Sequence, residues 1–268
     1  MATQCPYPYA GGTMNSSGDY TRRYLRATRS ATYGVLAGLP LFLLYELFVV
    51  LVNEGRTEHV RVGADVWIKN MMATIGQPGL LGTAVLLFAI GVYVAFRERR
   101  RQIPIRASWF GLLVAESLCY AVVLAVLVST VVGAVFGLDV GAAISAQDVA
   151  AQVTPPGRIT MLVLSIGAGL YEELVFRVAL VGGLFLVLRR FVNGSRKAYL
   201  VAALVGAFIF SLVHYVGPYG DPFLMSSFTF RFLFGLALNA LFLVRGFGVA
   251  AWTHALYDVM VVAQMPPS

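Results

Sequence analysis

The sequence predicts an all-α fold, a polytopic transmembrane helical bundle of about seven spans with room for an eighth. Three observations predict it. Of the 268 residues only 12% are charged and 59% are hydrophobic, whereas soluble domains carry roughly 25% charged residues. The apolar residues gather into runs close to the roughly 17–25 residues that cross a bilayer as helix. The basic residues fall in short segments between those runs, the pattern that fixes orientation in a membrane.

Taken in chain order, residues 1–30 read as a polar cytoplasmic tail carrying Arg22, Arg23, Arg26 and Arg29, with no cleavable signal peptide ahead of the first apolar run. Apolar runs then occur at about 33–52, 79–96, 109–136, 159–188, 198–216, 227–243 and 247–264. The stretch 56–77 holds Arg56, Glu58, Arg61, Asp65 and Lys69 and is too charged to cross. It reads as a loop with an interfacial amphipathic helix around Trp67. An eighth span would require 109–136 to divide, and no turn signal divides it. Residues 31–154 read as structural spans, and 155–268 as the part that carries chemistry.

Charge sorts the loops. The tail, the 97–106 loop (Arg97, Arg99, Arg100, Arg101, Arg106) and the 189–197 loop (Arg189, Arg190, Arg196, Lys197) share one side of a seven-span arrangement. The opposite loops, 137–158 and 217–226, carry Asp139, Asp148 and Asp221 with little base. The expected orientation is N-terminus cytoplasmic and C-terminus outside, in a bacterial or archaeal plasma membrane, with 56–69 the one dissenting segment. The net charge of +7 therefore asks for membrane lipid as partner and for no nucleic acid. Cys5 and Cys119 lie in different environments, one in the tail and one in a span, with neither a disulfide nor a zinc spacing expected.

The ionisable residues inside the spans are unevenly distributed. The last four spans hold Glu172, Glu173, Arg177, His214, Arg231, His254 and Asp258, the first three only Glu46 and Glu116. A charge at mid-bilayer costs about 2.5–3.5 kcal/mol on insertion scales, so the C-terminal cluster marks a site. Glu46 and Glu116 read as internally bonded, Arg231 as a snorkelling cation near a span end, and His59 as a solvated loop residue. Glu173 and Arg177 are four apart and share a helix face as an ion pair, while Glu172 lies about 100° away around an α-helix. His254 and Asp258 are also four apart, so the aspartate can orient the imidazole, or both can face one substrate oxygen if the aspartate is protonated.

Three chemistries fit those residues. Glu172, aided by His214, can take a proton from water that attacks a peptide carbonyl, with His254 and Asp258 at the oxyanion. Glu172, His214 and His254 are alternatively a two-histidine, one-carboxylate zinc set, although no His-Glu-x-x-His signature occurs. A proton-coupled transporter is a third reading, without the paired Gly/Pro-interrupted spans that transporters tend to have. Ser165 and Ser211 lie in spans but in no Gly-x-Ser-x-Gly context, which disfavours a serine nucleophile.

Glu172-Glu173-Leu174-Val175-Phe176-Arg177, Phe210-Ser211-Leu212-Val213-His214 and His254-Ala255-Leu256-Tyr257-Asp258, in this order, resemble the three motifs of the CAAX-protease and bacteriocin-processing (Abi) family of intramembrane glutamic endopeptidases. The resemblance covers roughly 155–264. It implies a protease with no required metal or other cofactor. In it Glu172 and His214 activate water, His254 and Asp258 bind the oxyanion, and Glu173 with Arg177 support the helix presenting Glu172. The prenyl-protein proteases of the family usually carry Asn where this chain has Asp258. Asn donates a hydrogen bond at any pH and Asp only when protonated, so a role orienting His254 is as natural for Asp258.

The implied substrate is a membrane-associated protein or peptide cut near the membrane or at a C-terminal tail, anchor or sorting segment. Other family members act as immunity proteins or scaffolds, a non-enzymatic alternative. In the seven-span arrangement His214 lies near the outer end of its helix. Glu172 and His254 lie on the order of 15–20 Å from the outer ends of theirs, at 1.5 Å per residue. That depth places the expected cavity in the outer half of the membrane.

Overall fold

A computed structural model describes residues 17–53, 60–74, 76, 79–139, 157–217 and 220–264. Among them are nine helices and no strand. Helix α1 spans Ser17–Thr28, α2 Ala31–Val52, α3 Gly63–Thr74 and α4 Gly79–Glu98, the last ending in a 3₁₀ turn at Arg99–Arg101. Helix α5 is Ala107–Phe136. Helix α6 is continuous through an α segment Arg158–Gly167, a π-helical segment Ala168–Val181 and an α segment Gly182–Leu188. Helices α7 (Ser195–Val213), α8 (Met225–Arg245) and α9 (Phe247–Gln264) complete the bundle. His59, Cys5 and Asp148 lie outside the described residues.

Among the described residues five helices are long and apolar enough to cross a membrane: Ala31–Val52, Gly79–Arg101, Ala107–Phe136, Ser195–Val213 and Met225–Arg245. The chain is an integral membrane protein. The two remaining expected spans are α6 and α9, and they are the two that carry Glu172, Glu173, Arg177, His254 and Asp258. The π-helical stretch divides α6 into segments of 10, 14 and 7 residues, and His254 and Asp258 lower the apolar content of α9; the surrounding helices cover both. On α9, Gly248, Val249, Ala250, Ala251, Thr253, His254, Ala255, Tyr257, Val261 and Val262 are all buried, whereas α4 buries only Gly82, Thr83 and Glu98. Helix α9 is the axis of the bundle and α4 its lipid-facing flank. Helix α5 runs unbroken for 30 residues, so the 109–136 run holds a single span.

Small residues let the helices meet closely, the usual device where lipid removes the hydrophobic drive between helices. A Cβ on Gly167 would lie 2.3 Å from the Tyr45 ring of α2, and one on Gly169 would lie 2.5 Å from the Ala251 carbonyl oxygen and the Ala255 Cβ of α9. Helix α6 is thus wedged between α2 and α9. Side chains lock α9 further: Trp252 Nε1 donates to the Ala37 carbonyl at 2.9 Å, and Ser117 Oγ to that of Val249 at 3.3 Å.

The N-terminal segment is more than a polar tail. Helix α1 buries Tyr24, Ala27 and Thr28 against the bundle. Arg245 at the end of α8 reaches Glu116 with Nε at 2.6 Å and Nη2 at 2.8 Å, and also donates to the Leu25 carbonyl and Thr28 Oγ1 of α1. Tyr24 donates to Glu116 as well. Glu116 is therefore internally bonded, as expected, and its bonding docks α1. Helix α3 lies where an interfacial helix around Trp67 was expected, with Trp67 half exposed.

Candidate active site

The π-helical stretch of α6 changes how its two glutamates point. Bonds from residue i to i+5 make a wider turn than the α-helix, and π-turns recur at functional sites. Glu172 and Glu173 would diverge by about 100° on an α-helix; here both address one ring on α9. Glu173, fully buried, has Oε1 2.8 Å from His254 Nδ1. On the other side of that imidazole, Nε2 lies 3.5 Å from Asp258 Oδ2 and 4.0 Å from Glu172 Oε2. Three carboxylates face one histidine.

Glu173 thus has two partners. Its Oε1 is also 3.1 Å from Arg177 Nη1, an ion pair inside the bundle. No Arg177 guanidinium nitrogen meets hydrogen-bond geometry among the described residues. The guanidinium instead lies over the Phe210 ring, 4.4 Å from its centroid. Same-helix spacing predicted the Arg177 contact. It could not predict the one to His254, which depends on where α6 crosses α9. His254 Nδ1 donates its orienting hydrogen bond to Glu173, while Asp258 stands on the Nε2 side.

His214 caps the C-terminal end of α7, with Nδ1 2.7 Å from the Phe210 carbonyl oxygen. A carbonyl only accepts, so Nδ1 carries a proton and the neutral ring keeps its lone pair on Nε2. Phe210 packs edge-on against both imidazoles, with centroids at 5.1 Å for His214 and 6.0 Å for His254, and Phe234 closes on His254 at 5.8 Å. Aromatic walls hold the two rings without competing for their nitrogens.

Glu172, His214, His254 and Asp258 line one cavity of about 420 Å³, and Glu173 and Arg177 stand behind its wall. Its apolar portion is formed by Met161, Leu164, Phe234, Val261 and Val262. Two contributions were not foreseen. Arg231 lines the cavity and is ion-paired to Asp221, so it does not snorkel to lipid. Arg61, Val62 and Gly63 form another part of the wall, so the region before residue 154 supplies site surface as well as packing. The charges at 61, 65 and 69, four apart, were the available signal. Ser165 and Ser211 each donate to a backbone carbonyl, of Met161 and Phe228. Among the described residues no three His, Cys, Asp or Glu side chains converge as a metal-ligand set, so Glu172, His214 and His254 share a cavity without zinc-site geometry.

Next to the cavity lies a second buried polar cluster. Glu46 accepts from Lys69 Nζ at 2.7 Å, from Tyr171 Oη at 2.8 Å and from Arg61 at 3.2 Å. Asp65 accepts from Arg61 at 2.8 Å, Lys69 at 2.9 Å and Tyr45 Oη at 3.0 Å. The cluster ties α2 and α3 to Tyr171, the residue before Glu172.

Fold and site define a membrane protein with a chamber of carboxylates and imidazoles held within a helical bundle. Residues 155–260 match the family model described as Type II CAAX prenyl endopeptidase Rce1-like. This is the CAAX-protease family that the three motifs resemble, and the matched segment contains Glu172, Glu173, Arg177, His214, His254 and Asp258. No curated protein and no solved structure matches the chain.

Proposed function

We propose that this protein is an intramembrane endopeptidase that hydrolyses a peptide bond of a membrane-associated protein. Glu172 acts as general base on water, assisted by His214, and His254 stabilises the oxyanion. The observation that carries this reading is the different bonding of the two imidazoles. His214 donates its Nδ1 proton to a carbonyl and so keeps a lone pair on Nε2, suited to accept a hydrogen bond from the water beside Glu172. His254 gives its Nδ1 proton to Glu173. To donate from Nε2 as well, it must carry both protons, and Glu172, Glu173 and Asp258 supply the counter-charge. An imidazolium beside a developing alkoxide is the electrostatic aid that acyl transfer needs. Asp258 then serves His254 and the cavity's charge balance, with no need to be protonated. Proton transfer closes the cycle when Glu172 returns the water's proton to the leaving amine.

The same arrangement supports attack from the outer half of the membrane. The cavity is lined by the N-terminal part of α6, the C-terminal part of α9 and the 61–63 segment, at the end of the bundle away from Arg245, Arg101 and α1. With the arginine-rich end cytoplasmic, the chamber lies in the outer half of the membrane. Its apolar lining suits a substrate whose scissile bond adjoins a membrane-embedded segment, such as a C-terminal tail or anchor.

The test compares protein termini in membranes of cells expressing the wild type or Glu172→Gln. New C-termini on membrane-associated proteins should appear with the wild type and vanish with the variant. Identical termini in the two samples, with both proteins present at equal level, would favour a scaffold or immunity protein and sink the protease reading.

A further inference from the structure

The chamber at the proposed site has two unlike sides. On α6, Met161, Leu164, Ser165 and Ala168 lead up to Glu172, and on α9, Val261 and Val262 continue the lining that carries His254 and Asp258. The two helices run antiparallel here, and Arg158 Nη2 at the start of α6 donates to the Ala263 carbonyl of α9 at 2.7 Å. The two stripes therefore lie side by side, from the reactive groups towards the end of the bundle away from α1. Ser165 donates its hydroxyl proton to the Met161 carbonyl, so the α6 stripe presents an apolar surface. The other side, from α7 and α8, mixes His214 and Arg231 with Phe210 and Phe234.

The 61–63 segment makes a further wall of this trough. Val62 N–H donates to Tyr45 Oη at 3.1 Å, and a Cβ on Gly167 would lie 2.8 Å from Val62 Cγ2. The segment is thus seated on α6 beside Ala168. Arg61 lines the chamber with its guanidinium bonded to Glu46 and Asp65, so its charge is matched from behind. The lining nearest Glu172 is small, with Ala168 and Ser165 on α6 and Gly63 in the 61–63 wall, whereas Met161, Leu164, Val261 and Val262 are larger. The small side chains leave room beside the base.

A carbonyl inside a helix is bonded to the N–H four residues on, so a peptide bond that is to be cut is drawn out of helix and its neighbours are extended. From His254 to Val262, α9 rises about 12 Å at 1.5 Å per residue. That length holds about four residues of extended chain at roughly 3.3 Å each. Water at the open mouth of the chamber satisfies the backbone groups of such a chain. We propose that the trough is a subsite for about four extended apolar residues on one side of the scissile bond, and that Ala168 sets the size of the side chain next to that bond. Calling the bond scissile rests on the protease function proposed for the site; the trough as a peptide-binding surface does not.

The test uses the full chain carrying Glu172→Gln, in detergent micelles, with octapeptides of serine and photoreactive leucine. In two block peptides the leucines are contiguous, at one end or the other. In the split isomer, of equal composition and comparable partition into micelles, the leucines stand in pairs at the two ends. Irradiation should label 161–168 and 261–262 with the block peptides about tenfold or more above the split isomer, the scale of an apolar group gained or lost in such a pocket. Ala168→Trp, which fills the trough, should abolish the labelling, and Ala168→Leu should lower it where the tryptophan variant does not fold. Val85→Trp, an enlargement on the exposed face of α4, should leave it unchanged. Equal labelling by the split isomer, labels confined to other segments, or labels that survive filling of the trough would each overturn the subsite. Wild-type protein given the same peptides separates the two readings. Trough labelling without a Glu172-dependent cut sinks the protease and keeps the subsite, and cutting without trough labelling does the reverse.

Discussion

Two buried polar clusters sit on either side of Tyr171, and their difference fits the proposed division between support and chemistry. In the first, Glu46 and Asp65 face Arg61 and Lys69, two acids with two bases, and the tyrosines of α2 and α6 take up further oxygen lone pairs. In the second, Glu172, Glu173 and Asp258 surround His254, and Arg177, behind the cavity wall, is the strong base in contact with Glu173. A balanced cluster in a membrane interior satisfies itself and holds helices together. An acid-rich cluster facing a chamber has carboxylate to spare, and that surplus is what proton transfer requires.

The comparison breaks most sharply at Glu172. Glu172→Gln should lower cleavage by about 10²–10⁴, the usual worth of a general base, while leaving the thermal unfolding midpoint in detergent where it was. A midpoint that falls with the rate would return Glu172 to the structural class. The converse is expected at Glu46. Glu46→Ala leaves Lys69 and Arg61 short of a counter-charge, and losing one partner of a buried pair costs about 3–5 kcal/mol. Unfolding of purified protein should show that loss, and Lys69→Met added to Glu46→Ala should restore part of it. No restoration would mean that the cluster is not a balanced unit.

A smaller effect is expected at Glu173, which belongs to both kinds. Glu173→Gln keeps a hydrogen-bond acceptor for His254 Nδ1 but removes the charge. Cleavage should fall about 10-fold to 100-fold, less than for Glu172, with the larger change in kcat than in KM. An effect on KM alone would assign it to substrate binding. The mildest is geometric. Gly169→Ala puts a Cβ against the Ala251 carbonyl and should cost about 1–3 kcal/mol by overpacking, with cleavage falling alongside as α6 moves away from α9. Full activity in that variant would show that the α6–α9 approach does not set the site.

Much of this was readable from the sequence because membrane chemistry makes polar residues expensive. Glu172, His214, His254 and Asp258 could be picked out by their position in apolar runs, and the structure brings all four to one cavity. The single span at 109–136 followed from the absence of a turn signal, and the internal bonding of Glu116 from the need to satisfy an intramembrane carboxylate; that this bonding docks α1 did not. Less readable were Arg61 and Arg231. Both looked peripheral because one lies in a charged loop and the other near a helix end, and linear position says nothing about which cavity a loop folds over.

By itself the sequence determined the all-helical membrane fold and the ion pair of Glu173 with Arg177. These depend on local composition and on spacing along one helix, where backbone geometry fixes the neighbours. Only the tertiary structure decided that Glu173 also holds His254, that Asp258 stands on the opposite nitrogen, and that the 61–63 segment walls the chamber. Those contacts join different helices. They depend on a π-helical turn and on Gly167 and Gly169, which let three helices meet closer than any side chain at those positions would allow.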